Sequence, residues 1–228
     1  MSPHPRRLAR REIAAGLVLL TLAAAPTLEA RPPEWELHWF GVVNRLPDGL
    51  HSPVWAVMQL GALGAGPATA AVALLAGNRR LATRLAVGGT VAWATAKVVK
   101  RVVARARPEA FMTDARVRGR RASGLGFPSG HAGVATALTG AALASVQPRL
   151  RAGLVGLAVT VAAARVYVGA HLPMDVLGGA ALGFIVDGTM RLGGPGRERQ
   201  PEDRAVFPAV GRRLGCHEAP PGAAHVRG

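Results

Sequence analysis

Three short groups of residues stand apart from an otherwise apolar chain. The first is Lys100, six residues, then Arg107-Pro108. The second is Pro128-Ser129-Gly130-His131. The third is Arg165, five residues, His171, three residues, then Asp175. Two guanidinium forks and an ammonium are a donor set suited to a tetrahedral oxyanion. Gly130 lets the backbone approach a ligand closely, and free N–H groups at a following helix start would point the same way. Ser129 adds a hydroxyl. A phosphate cradle without a metal is the chemistry these types support.

The two histidines extend that reading from binding to reaction. Phosphoryl transfer through a covalent intermediate needs a nucleophile and a proton donor for the leaving group. An imidazole can attack phosphorus if its other nitrogen is held by a carboxylate. His171 and Asp175 are four apart and face each other if the turn is helical. Asp175 would fix the tautomer and stabilise positive charge on the ring. His131 is then free to protonate the leaving oxygen and later to act as base for water. Each residue alone has a plainer reading. Lys100 could be a snorkelling span end, Arg107 a basic loop residue and Ser129 a helix N-cap. His131 could be an interfacial histidine, and His171 with Asp175 a structural pair. Their convergence favours the chemical reading.

The elements that must position these groups are apolar. Of 228 residues, 50% are hydrophobic and 18% charged, which argues against general disorder. Cys216 is alone, so a disulfide scaffold is excluded. The net charge of +15 invites a nucleic-acid partner. The basic residues, however, fall in short clusters between long uncharged runs, the pattern of a multi-span membrane protein. No nucleic acid is expected. The partners expected are the membrane and a phospholipid or polyprenyl phosphate.

The uncharged runs predict an all-α bundle of six transmembrane helices. Residues 13–28 form a first span behind Arg6, Arg7, Arg10 and Arg11, with a cleaved signal peptide as the competing reading. Residues 31–48 read as an interfacial segment carrying Trp35, Leu37, Trp39 and Phe40. Further spans are expected at about 54–76, 81–99, 131–146, 152–168 and 173–192. The parts are thus 1–30, a membrane domain over 31–192, and a disordered basic tail over 193–228. Asp187 and Arg191 read as a helix-surface ion pair.

With the N-terminal side placed inside by its arginines, Lys100, Arg107, Ser129, His131, Arg165, His171 and Asp175 all fall at the outer face. The connection 100–127 is strongly basic on the side where basic loops are disfavoured. Anion binding is a local reason for it, and its arginines could also gather anionic headgroups.

The three groups resemble the signature of the type 2 phosphatidic acid phosphatase (PAP2) superfamily, which also includes vanadium haloperoxidases. That signature is K-x6-RP, PSGH and SR-x5-H-x3-D. The likeness covers about 81–192. It implies His171 as nucleophile, Asp175 as its orienter and His131 as acid/base. It implies Lys100, Arg107, Ser129, Gly130 and Arg165 as phosphate ligands. Ala164 stands where the pattern has Ser, which removes one hydroxyl and bears on fine binding. No cofactor or metal is expected, since no carboxylate cluster is present to hold one. The implied protein is a bacterial plasma-membrane lipid phosphatase acting on a phosphomonoester or diphosphate at the extracytoplasmic face. A vanadate-dependent haloperoxidase and a non-catalytic membrane or transport protein are the alternatives.

Overall fold

The computed structural model describes residues 3–193. The tail over 193–228, expected to be disordered, lies outside the described residues beyond Gly193. Eight α-helices run in chain order: α1 (Pro3–Ala24), α2 (Glu34–Asn44), α3 (His51–Met58), α4 (Ala65–Leu75), α5 (Arg79–Val103), α6 (Gly130–Leu143), α7 (Pro148–Tyr167) and α8 (Pro173–Gly193). Among the described residues there is no strand. The described residues are all-helical, as the uncharged runs predict.

Local chemistry sets the helix ends that matter. Asn78 caps α5 by accepting from the Leu81 N–H at 2.9 Å. Ser129 caps α6 through the Ala132 N–H at 3.5 Å. Prolines open α7 and α8, where a missing N–H costs nothing. α5 stops at Ala104, which takes a left-handed conformation at φ 53°. That turn is unfavourable for a residue with a Cβ, by about 1–2 kcal/mol, and it leads directly into the buried Arg105.

Small residues allow tight packing. α6 lies against α5, α7 and α8, and α8 also runs along α1. The core between α4, α5, α6 and α8 is largely alanine, with Leu81, Leu85, Val134, Leu138 and Val186 among its larger members. A Cβ on Gly179 of α8 would fall 2.2 Å from the Ser129 carbonyl oxygen. The start of α6 and the flank of α8 therefore touch backbone to backbone.

The count of spans differs from the sequence expectation. Among the described residues, three helices are long and apolar enough to cross a membrane: Arg6–Leu28, Pro148–Tyr167 and Pro173–Gly193. A fourth is added if Asp48–Gly61 and Ala65–Leu75, bent by 73°, count as one. The expected span at 54–76 is thus broken. Gly61 lies at the break, where a Cβ would meet the His131 carbonyl oxygen at 2.6 Å. α6 has 14 residues, about 21 Å of helix against a hydrocarbon core of about 30 Å. α5 is long enough, but it carries Arg79, Arg80, Arg84, Lys97, Lys100 and Arg101. Uncharged runs measure composition, and helix length and charge placement decide the count.

Two further expectations change. In α2, Trp35 and Trp39 are exposed, but Leu37 and Phe40 are buried against Val166 and Leu172. The segment is half core rather than wholly interfacial. Asp187 is buried, not on a helix surface. It accepts from Arg191 at 2.8 Å and also pairs with Arg84, while Arg191 reaches Glu12 of α1 at 3.5 Å.

Candidate active site

The end of α7 and the start of α8 make a tight loop that hangs His171 from Arg165. The N–H groups of Ala170 and His171 both donate to the Arg165 carbonyl, at 3.1 and 3.2 Å. Gly169 makes the turn possible at φ +77°, and a Cβ there would lie 2.4 Å from the Arg116 carbonyl oxygen. The spacing of five residues between Arg165 and His171 is the length of this turn. Asp175, in the first turn of α8, accepts from the Leu172 N–H through Oδ2 at 2.9 Å. The same Oδ2 stands 3.5 Å from His171 Nδ1, without a hydrogen bond between them. The two groups are adjacent but unbonded, and such contacts often tighten only with substrate bound.

The other two groups close on this loop. The Ser129 N–H donates to the Asp175 carbonyl at 2.7 Å, which ties the start of α6 to α8. Lys100, at the end of α5, donates to the carbonyls of Leu125 and Gly126 at 2.9 and 2.5 Å. Arg107 donates from Nε to Gly124 at 2.9 Å, from Nη2 to Ser123 at 3.0 Å and from Nη1 to Ala170 at 2.5 Å. Arg165 differs. Its Nη1 meets only the soft acceptor Met58 Sδ, at 3.0 Å, and its buried Nε has no hydrogen-bond partner.

A cavity of about 360 Å³ opens here, with Trp55, Arg107, His131, Arg165, Gly169 and Ala170 among its lining residues. Lys100, Ser129, Gly130, His171 and Asp175 are not in that lining. His171 is 2% exposed and Ser129 fully buried. The structure therefore gathers all eight sequence candidates at one end of α5, α6, α7 and α8, with three of them on the cavity wall. The His171 ring is held neutral, well below the usual histidine range. Burial is the main cause, followed by the positive charges of Arg165, Lys100 and Arg107. A neutral ring keeps the lone pair that a nucleophile needs.

Two residues that the sequence reading passed over lie directly behind Asp175. Arg105 donates to Asp175 Oδ1 at 2.9 Å and forks onto both carboxylate oxygens of Glu36, at 3.1 and 2.5 Å. Glu36 Oε1 also accepts from the Met174 N–H at 2.9 Å. Burial opposes the charge on Arg105, but the bonds and charges of Glu36 and Asp175 overcome it and raise its pKa further. The signal for Glu36 was available. It shares a helical face with Phe40, Gly41 and Asn44, so a buried carboxylate in need of a cation was predictable. Nothing separates Arg105 by type from its arginine neighbours.

Several loop arginines turn inward rather than toward lipid. Arg118 donates to the carbonyls of Asn44, Tyr167 and Leu46 at 2.7, 2.6 and 2.9 Å, and lies 4.2 Å over the Tyr167 ring. Arg101, Arg116, Arg120 and Arg121 remain exposed. Ala164 sits in an apolar cluster with Met58, Tyr167, Val168 and Ala170.

The family model of the PAP2 superfamily matches residues 81–195. The chain belongs to the PAP2 superfamily. The matched segment runs from α5 through α8, the helices that carry the PAP2 signature, and Glu36 lies outside it. Lipid A 1-phosphatase of Rhizobium etli is 38% identical over 92 residues, 39% of this chain and 39% of that protein. Undecaprenyl-diphosphatase of Sulfolobus acidocaldarius is 31% identical over 119 residues, 51% of this chain and 57% of that protein. The chain thus spans less than two thirds of either relative. Two solved structures share the fold. The PAP2 type phosphatidylglycerolphosphate phosphatase of Bacillus subtilis aligns with a TM-score of 0.64 at 20% identity, over 80% of this chain and 94% of that one. Aquifex aeolicus LpxE aligns at 0.61 and 20%, over 68% and 93%.

Proposed function

We propose that this PAP2 protein is an integral membrane lipid phosphatase that works through a phosphohistidine. The observation that carries the reading is Arg165: a buried guanidinium with no carboxylate partner, at a cavity beside Arg107 and His131. A buried unpaired cation is costly and calls for an anion. A phosphate entering there meets Arg165 directly. It can draw Arg107 from the Ala170 carbonyl, next to His171 in the chain, and so open the way to the ring.

The neutral His171 then attacks phosphorus through its free nitrogen while the bond to the leaving oxygen breaks. His131 supplies the proton to that oxygen. Charge appearing on the His171 ring is balanced by Asp175. Water next attacks the phosphohistidine, His131 takes its proton, the P–N bond breaks, and His171 returns to the neutral form. Lys100 shapes the segment before Pro128 by binding its carbonyls, and Ser129 fixes the start of α6, whose N–H groups favour an anion.

The substrate is a lipid phosphomonoester or diphosphate, its headgroup in the cavity and its tail in the bilayer. α5 and α6 would bring the spanning elements to six, beside α1, the bent pair α3 and α4, α7 and α8. The arginine distribution orients the site to the extracytoplasmic face of a bacterial plasma membrane.

The test is phosphate release in detergent with EDTA from phosphatidic acid, a polyprenyl diphosphate and lipid A, comparing wild type with His171→Ala. Release by wild type that persists in EDTA and drops at least a thousandfold in the variant is expected. Equal release by the variant would remove His171 as nucleophile, and loss of activity in EDTA would overturn the metal-free route.

A further inference from the structure

The buried charges behind the nucleophile do not balance in the resting protein. Glu36, Arg105 and Asp175 form one connected chain, from α2 through the loop after α5 to α8. All three are almost wholly buried. Two carboxylates against one guanidinium leave a net single negative charge beside His171 Nδ1. Leu172 and Met174, just after His171, donate backbone N–H groups to Asp175 and Glu36 and so tie both carboxylates to the start of α8. The groups facing His171 from the other elements are all cationic or neutral: Lys100 of α5, Arg107 of the loop, His131 of α6 and Arg165 of α7.

We propose that Glu36 and Arg105 are positioning residues that leave the hydrogen-bonded group on the Asp175 side one carboxylate in excess, available to the ring when His171 becomes positive. Asp175 alone, paired with Arg105, would be internally compensated and would offer the ring little. Glu36 draws off the Arg105 charge through the two-pronged contact, and Asp175 keeps its negative charge for the imidazole. The inference rests on the phosphohistidine reading and assigns to α2, outside the matched family segment, a part in the chemistry rather than in the fold alone. The negative charge is one unit with Glu36 present and zero in Glu36→Gln. In the double variant Glu36→Gln/Arg105→Gln it is one unit again.

Orthovanadate and inorganic phosphate serve as probes, because vanadate can take a fifth ligand from His171 and mimic the transferring phosphoryl group. Wild type, Glu36→Gln, Glu36→Asp and the double variant are purified in detergent. Their affinities for both anions are measured by calorimetry, together with kcat and KM on phosphatidic acid and the thermal midpoint. In Glu36→Gln, vanadate affinity and kcat are expected to fall about 10- to 100-fold, the size typical of partners that orient a histidine from behind. Phosphate affinity and KM stay within about threefold. Glu36→Asp restores part of the loss, and the double variant binds vanadate more tightly than Glu36→Gln.

A double variant weaker than Glu36→Gln, or equal loss of phosphate and vanadate binding, would reduce the network to packing and overturn the proposal. Vanadate binding unaffected by His171→Asn would instead remove the phosphohistidine reading, and the inference with it. If vanadate binds through His171 but phosphatidic acid is not cleaved, the binding arms alone decide between the two.

Discussion

Arg165 concentrates the chemistry of this chain in one side chain. Lys100 and Arg107 spend their donors on backbone carbonyls, whereas Arg165 has a sulfur contact and a bare Nε. On the proposed reading, its truncation removes a donor to the phosphate. Arg165→Ala is expected to lower kcat/KM by about 100- to 1,000-fold, with Arg165→Lys recovering part of it, in the phosphate-release assay. The thermal midpoint should not fall, because the variant also removes a buried unpaired charge.

His171 carries a second expectation, on stability. Its folded pKa lies well below 6.5, so between those two values the unfolded chain binds a proton that the folded chain refuses. Stability from this group is therefore complete above about pH 6.5 and is lost as pH falls below it, at up to about 1.4 kcal/mol per pH unit. Denaturation in detergent at pH 7.5 and 5.5 should show that loss, and His171→Asn should reduce the pH slope by up to one proton. An unchanged slope would mean that the ring is not held neutral.

At the scale of elements, the loop between α7 and α8 decides whether the site exists. Gly169 sits at positive φ with its α-carbon facing the Arg116 carbonyl, and Asn44 clamps the same place by donating to Arg116 O at 2.9 Å and Tyr167 O at 3.0 Å. Gly169→Ala must distort one of these partners. It is expected to cost about 1–3 kcal/mol and to displace His171, so that kcat falls more than KM rises. A variant with wild-type stability and kcat would show the turn to be more tolerant than its geometry implies.

The same elements show what the sequence could and could not say. The spacing of Arg165, His171 and Asp175 is local, and a helical or turn geometry reads it out. Apolar runs likewise placed α7 and α8 to within a few residues. The bend between α3 and α4 was hidden, because it depends on where Gly61 meets the His131 backbone of a distant helix. The Glu36–Arg105 contact was hidden for the same reason, joining residues 69 apart in the chain. Burial of one carboxylate on an apolar face announces that a cation is needed, but only the packing chooses which arginine supplies it.

At the scale of the whole molecule, a second charge cluster centred on the buried Asp187 stands away from the candidate site and joins helices that carry it. Asp187 of α8 accepts from Arg84 of α5 and Arg191 of its own helix. Arg191 continues to the Gly140 carbonyl of α6 at 3.0 Å and to Glu12 of α1 at 3.5 Å. Asp187 thus joins α5 to α8, and Arg191 extends the link to α6 and α1. Removing Asp187 takes the carboxylate from Arg84 and leaves Arg191 with Glu12 alone. Asp187→Ala is expected to destabilise by about 3–5 kcal/mol, while kcat per folded molecule stays within about twofold, because none of these side chains reaches His131 or His171. The cluster also bears on the fate of α1. Cleavage near Ala25 would strip Glu12 from Arg191 and uncover the long face that α8 shares with α1, including Ile185, which packs within reach of Gly16. In a bilayer that face could be covered by lipid, but the Arg191 charge would lose a partner where water is scarce. Edman sequencing of protein purified from membranes should therefore begin before Glu12. A mature chain starting after Ala25 with full stability would show that α1 is a targeting segment and that Asp187 alone suffices to hold Arg191.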